Sequence, residues 1–167
     1  MKANIFVAAL LLFIVGCAPQ QSDQLTQQQK DQIKNEVKPV VDSILAKAER
    51  LDLNGTLQYF WDSPEFVSYN ADGSQSDFQA FKKSSTDAFI NMAALKNTTV
   101  REEFRVEAKD LVIYGWAGKG EMFMKSGDKI TEDPEATTWV FKKVDGQWKI
   151  IYCHDSGTIT MQKAGKK

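Results

Sequence analysis

Apolar residues follow a helical period in the first part of the chain and a two-residue period in the second. Across residues 33–51 they recur every three or four positions, which predicts an amphipathic helix with one buried face. Pro39 lies within this stretch and predicts either a bend or a helix start near Lys38. Two further helices are predicted, a short one over 56–61 and a third that begins after Asp77 as its N-cap.

After about residue 96 the pattern becomes that of a sheet. Residues 100–108 alternate between apolar and charged side chains, which predicts a strand with one buried face. A long strand is predicted over 111–124, and turn residues, Asp133-Pro134-Glu135 among them, separate it from the next one. Asp145-Gly146 between two apolar runs is a strong hairpin pattern and joins strands over 137–144 and 147–155.

The hairpin turn also predicts which residues of its two strands face each other. Val144 is expected to pair with Gln147, and the register of the other pairs follows from this one. The expected pairs are Phe141 with Ile150, Trp139 with Tyr152, and Thr137 with His154, all on one surface of the sheet.

The N-terminus has the pattern of an export signal. Lys2 precedes an apolar run over 5–15, about 11 residues and well short of the ~20 that a membrane-spanning helix needs. Ile14-Val15-Gly16-Cys17 resembles a lipobox, which implies cleavage before Cys17 and lipidation of that cysteine. We therefore expect a protein anchored in the bacterial cell envelope through Cys17; the alternatives are an ordinary secretory peptide or an uncleaved anchor.

The expected organisation is a signal peptide over 1–16, a lipidated cysteine and flexible Gln-rich tether over 17–32, a single domain over 33–160, and a basic tail over 161–167. The formal net charge of the whole chain is −1, and no basic cluster precedes the tail, so no nucleic-acid partner is expected. Once Cys17 is lipidated, Cys153 has no partner for an intramolecular disulfide.

The order of these elements resembles the nuclear transport factor 2-like superfamily, and most closely its SnoaL-like (polyketide cyclase-like) branch. Three segments carry the resemblance: the helix pair over 48–60, the strand and turn over 66–73, and the closing strand over 145–157. It implies an α+β, cone-shaped fold in which three N-terminal helices pack on a curved antiparallel sheet and leave a conical pocket. It also implies a homodimer formed through the sheets. The catalytic sets of the family's ketosteroid isomerases, scytalone dehydratase and limonene epoxide hydrolase are not matched residue by residue.

His154, the single histidine of the chain, is the first catalytic candidate. Imidazole can accept or donate protons near neutral pH, and the expected register places it beside Trp139 and Tyr152 on the concave surface. Tyr152 would then donate a hydrogen bond to a developing oxyanion. The alternative is a structural histidine that is hydrogen-bonded near the mouth of the cone.

Glu102 is the second candidate, because it lies in phase with the apolar residues of its strand. A carboxylate buried in an apolar pocket has a raised pKa and can abstract protons. The alternative is that this strand begins at an exposed rim, where Glu102 is solvated or paired with a lysine.

Aromatic side chains are expected to line a pocket for a flat apolar ligand. With His154, the proposed lining comprises Trp61, Tyr69, Phe89, Trp139 and Tyr152. Cys153 is expected to be an inert core residue, and Asp62, Asp133 and Glu135 to cap or solvate loops. One histidine and scattered carboxylates lack metal-ligand spacing, so neither a metal nor another cofactor is expected.

The function that these observations favour is the non-catalytic binding of a small apolar ligand, or a role as a dimeric interaction module. The alternative is an isomerase, cyclase or dehydratase that uses Glu102 or His154 as general base. The two hypotheses differ in whether Glu102 and His154 converge on one small molecule.

Overall fold

The computed structural model describes residues 24–165. The expected signal peptide and Cys17 lie outside the described residues. Three helices precede a long antiparallel meander: α1 is Gln27–Glu49, α2 is Leu53–Leu57 and α3 is Phe78–Asn91. The strands are β1 Val67–Tyr69, β2 Gln75–Ser76, β3 Met92–Ala108, β4 Leu111–Met124, β5 Lys129–Val144 and β6 Gln147–Gln162.

Helix α1 is longer than predicted at its N-terminus. Thr26 and Gln29 form a capping box, in which each side chain bonds to the backbone N–H of the other residue. Residues 27–32, expected in the tether, are therefore helical. Pro39 lies inside the helix and does not start it. The buried face of α1 consists of Ile33, Val37, Val41 and Ile44, as its period predicts.

The two shorter helices begin at aspartate caps. Asp52 accepts the backbone N–H of Gly55, so α2 starts three residues earlier than predicted and ends at Leu57. Asp77 accepts the backbone N–H of Ala80, which confirms its predicted role as the N-cap of α3. No helix within residues 24–165 is long and apolar enough to cross a membrane.

The six strands form one curved, mixed sheet in the order β2-β1-β6-β5-β4-β3. The expectation of a purely antiparallel sheet is wrong at one place, because β1 pairs in parallel with β6. The chain after α2 already runs beside β6, where the N–H of Trp61 bonds to the carbonyl of Ile150. It continues in that direction into β1, which fixes the parallel pairing.

One face of the sheet, here called the inner face, packs against the helices. Val112, Tyr114, Phe141 and Ile150 are fully buried there and form a single core with the buried face of α1. The opposite face, called the outer face, has no covering element among the described residues. Aromatic rings fill much of the core, and Phe60 and Phe81 stack with their centroids 4.8 Å apart.

Two strands depart from the predicted pattern through bulges. The sequence around Asp133-Pro134 was expected to separate strands, yet β5 runs through it, because two residues of β5 there oppose one residue on each neighbouring strand. In β6, Ile151 is an extra residue opposite the step from Val140 to Phe141. These two bulges determine which side chains reach the inner face.

Candidate functional site

A cavity of about 330 Å³ lies between the three helices and the inner face. The helices supply an apolar wall in which Ile44, Leu45 and Ala48 come from the C-terminal half of α1. Trp116, Met122 and Trp139 line the cavity from the sheet. Most of the wall is therefore suited to an apolar or aromatic ligand.

Three carboxylates, Glu132, Glu135 and Asp155, line the sheet side of the same cavity. Two residues three positions apart in a regular strand would point to opposite faces. The bulge at Asp133-Pro134 adds the residue that restores the phase, so Glu132 and Glu135 share the inner face. Asp155 follows on β6, directly opposite Thr137.

Glycines on the neighbouring strands make room for the two glutamates. Gly118 and Gly157 flank Glu135, and Gly120 flanks Glu132. A β-carbon on Gly120 would lie 2.5 Å from Oε2 of Glu135, and one on Gly157 would collide with Oε1 of Glu132. The missing side chains leave the carboxylates facing the cavity.

Burial raises the pKa of all three acids. Removal from water raises the pKa of Glu135 to about 7, and the negative charges of Glu132 and Asp155 add to this shift. Burial, and then the charge of Asp155, raises the pKa of Glu132. Burial also raises the pKa of Asp155, although a hydrogen bond from Thr137 partly opposes it. Glu135 can therefore exchange a proton near neutral pH.

Few groups of the protein compensate this negative charge. None of the described residues that line the cavity is a lysine, arginine or histidine. Oε1 of Glu132 is fully buried and has no hydrogen-bond partner among the described residues. Within residues 24–165, no group of three acidic, cysteine or histidine side chains is arranged to hold a metal ion.

The predicted aromatic lining is divided between three places. Phe89 and Trp139 line the cavity, whereas Trp61 lies in a separate pocket beside Asp62 and Lys82. Tyr69 lies on the outer face. Its ring centroid is 6.1 Å from that of Tyr152 and 6.4 Å from that of His154.

Tyr152 and His154 are on the outer face because of the bulge at Ile151. The predicted pairs of Val144 with Gln147 and of Phe141 with Ile150 are confirmed. Beyond the bulge the register shifts by one, so Trp139 faces Cys153 and Thr137 faces Asp155. The pairings of Trp139 with Tyr152 and of Thr137 with His154 were wrong. His154 is exposed, and its place on the inner face is taken by acidic Asp155.

Glu102 is on the inner side of the sheet but outside the cavity lining. Its Oε1 lies 3.5 Å from Nζ of Lys38, and its Oε2 accepts a 3.4 Å hydrogen bond from the hydroxyl of Tyr114. This is the lysine-paired arrangement at a rim that the sequence left open as the alternative. Glu102 and His154 lie on opposite faces of the sheet and do not converge on one ligand.

Cys153 is buried at the inner face, and burial raises the pKa of its thiol to about 12. The thiol therefore stays protonated at neutral pH, in agreement with an inert core residue. Asp62 is exposed in a loop, as expected. The loop expectation was wrong for Asp133, which lies in the bulge of β5, and for Glu135, which lines the cavity. The sequence contained one indication of the acidic site: the glycines at 120 and 157 leave room for larger side chains on a neighbouring strand.

Comparison with known proteins agrees with this architecture. Residues 37–161 match the SnoaL-like domain. None of the curated proteins compared matches the chain significantly in sequence. Among solved structures, a nuclear transport factor 2-like superfamily protein from Salmonella enterica serovar Typhimurium has a TM-score of 0.66 at 16% identity, covering 81% of this chain and 96% of its own.

Two further structures carry enzyme names. A proposed scytalone dehydratase from Novosphingobium aromaticivorans has a TM-score of 0.68 at 9% identity, with 85% of this chain and 94% of that chain covered. A LinA-type3 hexachlorocyclohexane dehydrochlorinase from Novosphingobium barchaimii has a TM-score of 0.66 at 8% identity, with 82% and 94% covered. These TM-scores establish the shared α+β fold, with helices on a curved, open mixed sheet. The match over residues 37–161 goes further, and the chain belongs to the SnoaL-like domain family.

Proposed function

We propose that this protein binds a small, largely apolar ligand in the cavity between its helices and sheet. The observation that carries the proposal is the cavity itself. Its volume of about 330 Å³ lies within the range of small-molecule sites, and its wall is mostly aliphatic and aromatic. A few polar groups at one end would orient the ligand.

A neutral fluorescent dye, N-phenyl-1-naphthylamine, tests the proposal. Ala48 lines the cavity, so Ala48→Phe should occupy part of its volume and weaken dye binding at least tenfold. Ala88 is an exposed residue of α3, and Ala88→Phe is the matched control that should bind as the wild type does. Equal affinity of both variants, or no binding to the wild type, would contradict a ligand-binding cavity.

The location that we propose is the bacterial cell envelope, with the domain anchored to a membrane through lipidated Cys17. The support is the charged, apolar and small-residue order of the first 17 residues. Cys17→Ser should abolish metabolic labelling with a radioactive fatty acid. Unchanged labelling would refute the anchor.

We also propose that two copies associate through the outer face. Ile113, Val140 and Tyr152 form one row across three neighbouring strands of that face. An apolar row on an uncovered sheet favours burial against a second copy. Val140→Lys should convert dimers to monomers in analytical ultracentrifugation, whereas Val100→Lys, at an exposed position of the edge strand β3, should not. A monomeric wild type would refute the dimer.

Catalysis by proton transfer is the second candidate, as an isomerase, cyclase or dehydratase. The geometry does not favour Glu102 or His154 as the general base. It favours Glu135 instead, because its pKa of about 7 and its position in the cavity suit a group that accepts and returns a proton. Loss of turnover in Glu135→Gln with retained affinity for the substrate would distinguish catalysis from binding.

A further inference from the structure

We propose that the ligand of this cavity carries a basic nitrogen, and that Glu132, Glu135 and Asp155 hold it as a protonated amine. The inference deepens the proposed function and rests on it. It concerns the chemical class of the ligand: an apolar body that occupies the hydrophobic wall, with an ammonium group at the sheet.

Uncharged and acidic side chains occupy different sides of the cavity. Ile44, Leu45 and Phe89 on the helices offer no charge, whereas the sheet presents three acids together. A ligand that is apolar throughout would leave these acids without polar partners. A ligand with one cationic end would satisfy both parts of the wall.

The three acids also have unmet hydrogen-bonding capacity. Among the described side chains, only Thr137 donates a hydrogen bond to any of the three, to Oδ1 of Asp155. Oε1 of Glu132 is buried without a partner among the described residues, and the glutamate carboxylates occupy the space that side chains at Gly120 and Gly157 would take. An ammonium group brings up to three donors into a place where the protein supplies few.

Two nearby lysines are already paired with another acid. Nζ of Lys129 lies 2.6 Å from Oε1 of Glu121, and Nζ of Lys119 lies 3.6 Å from the same atom. Glu121 alternates with Gly120 along β4, so this cluster lies on the outer side of the strand. Neither lysine is therefore available to the acids on the inner side, and an ammonium group of the ligand, or protons in its absence, would compensate their charge.

A matched pair of probes tests the inference: 2-naphthylmethylamine and 2-naphthylmethanol, which share an apolar body and differ at the polar end. Titration calorimetry on the full chain at pH 8 should give at least tenfold tighter binding of the amine. In the double variant Glu132→Gln with Glu135→Gln, this preference should disappear, while the affinity for the alcohol stays within about twofold. Glu121→Gln removes an acid on the outer side and should retain the full preference for the amine.

The outcomes separate this inference from the proposed function. Equal affinities of amine and alcohol in the wild type would overturn the basic-nitrogen inference and leave the cavity a ligand site. A preference for the amine that persists in the double variant would also overturn it, because the two glutamates would then not be among the groups that hold the ammonium. Failure of the neutral dye, the alcohol and the amine to bind at all would overturn both.

Discussion

The hydroxyl of Thr137 donates a 2.8 Å hydrogen bond to Oδ1 of Asp155, its direct neighbour across the hairpin. Thr137 is buried, and its hydrogen bond is the larger of two influences that favour the charged form of Asp155 against burial, the other being the charge of His154. The pair therefore fixes the direction of an acidic side chain at the floor of the cavity.

Thr137→Val should lower the free energy of unfolding by about 2 kcal/mol at pH 8, because a charged carboxylate loses its donor. The loss should be smaller at pH 4, where Asp155 binds a proton more readily. Urea unfolding at both pH values measures the difference. Thr137→Ser keeps a hydroxyl and is the control; an equal loss in Thr137→Ser would show that packing, not the hydrogen bond, is responsible.

Glu135→Gln should stabilise the protein at high pH. The folded-state pKa of Glu135, about 7, lies above the usual 4.5, so the folded state binds a proton more tightly than the unfolded state does. The contribution of Glu135 to stability is complete below pH 4.5 and is lost as the pH rises through 7. The variant lacks this dependence and should gain on the order of 1 kcal/mol over the wild type at pH 8.

The measurement is the unfolding free energy of both proteins between pH 4.5 and pH 8.5. The wild type should lose stability relative to Glu135→Gln as the pH rises across this range. Parallel curves for the two proteins would contradict a buried acid at position 135.

Gly157→Ala should destabilise the fold by about 1–3 kcal/mol, since the added methyl group meets Oε1 of Glu132. Adding Glu132→Ala to this variant removes the carboxylate that the methyl group meets. The double variant should recover most of the lost stability, which a double-mutant cycle measures. Gly115→Ala is the matched control within a strand, because an added β-carbon there has no neighbour within 4 Å. Thermal unfolding compares the variants, and additive effects at 132 and 157 would argue against the contact.

His154→Ala should leave the affinity for N-phenyl-1-naphthylamine unchanged, because His154 lies on the outer face. Trp139→Ala removes a lining residue of the cavity and should weaken dye binding at least tenfold. Fluorescence titration provides both values. Weakened binding in His154→Ala would indicate that the last strand has the register that the turn alone predicts.

Local patterns predicted most of the elements. Short stretches of the chain were enough to predict the periodicity of α1, the cap at Asp77, the limits of β4 and the turn at Asp145-Gly146. The resemblance to a known superfamily supplied the packing of helices on a curved sheet, which periodicity alone does not give.

The acidic site was missed for a physical reason. Side chains alternate strictly along a strand, so one extra residue reverses every later assignment. Ile151 is an ordinary strand residue, and nothing in its type marks a bulge. Asp133-Pro134 resembled the end of a strand, because proline is rare within sheets. Glu135 was therefore assigned to a loop. The bulges depend on pairing with β4 and β6, which a single strand does not reveal.

The extra residue at Ile151 also bears on how such a cavity could change over time. If the same residues paired without the bulge, Tyr152 and His154 would come to the inner face, and Cys153 and Asp155 would go to the outer one. Deletion of Ile151 would keep the present faces, because the pairs of Val140 with Tyr152 and of Trp139 with Cys153 would remain. The bulge itself thus decides between an acidic cavity wall and one with an imidazole and a phenol. Relatives with the same residues along this strand would have opposite cavity chemistry if only one of them formed the bulge.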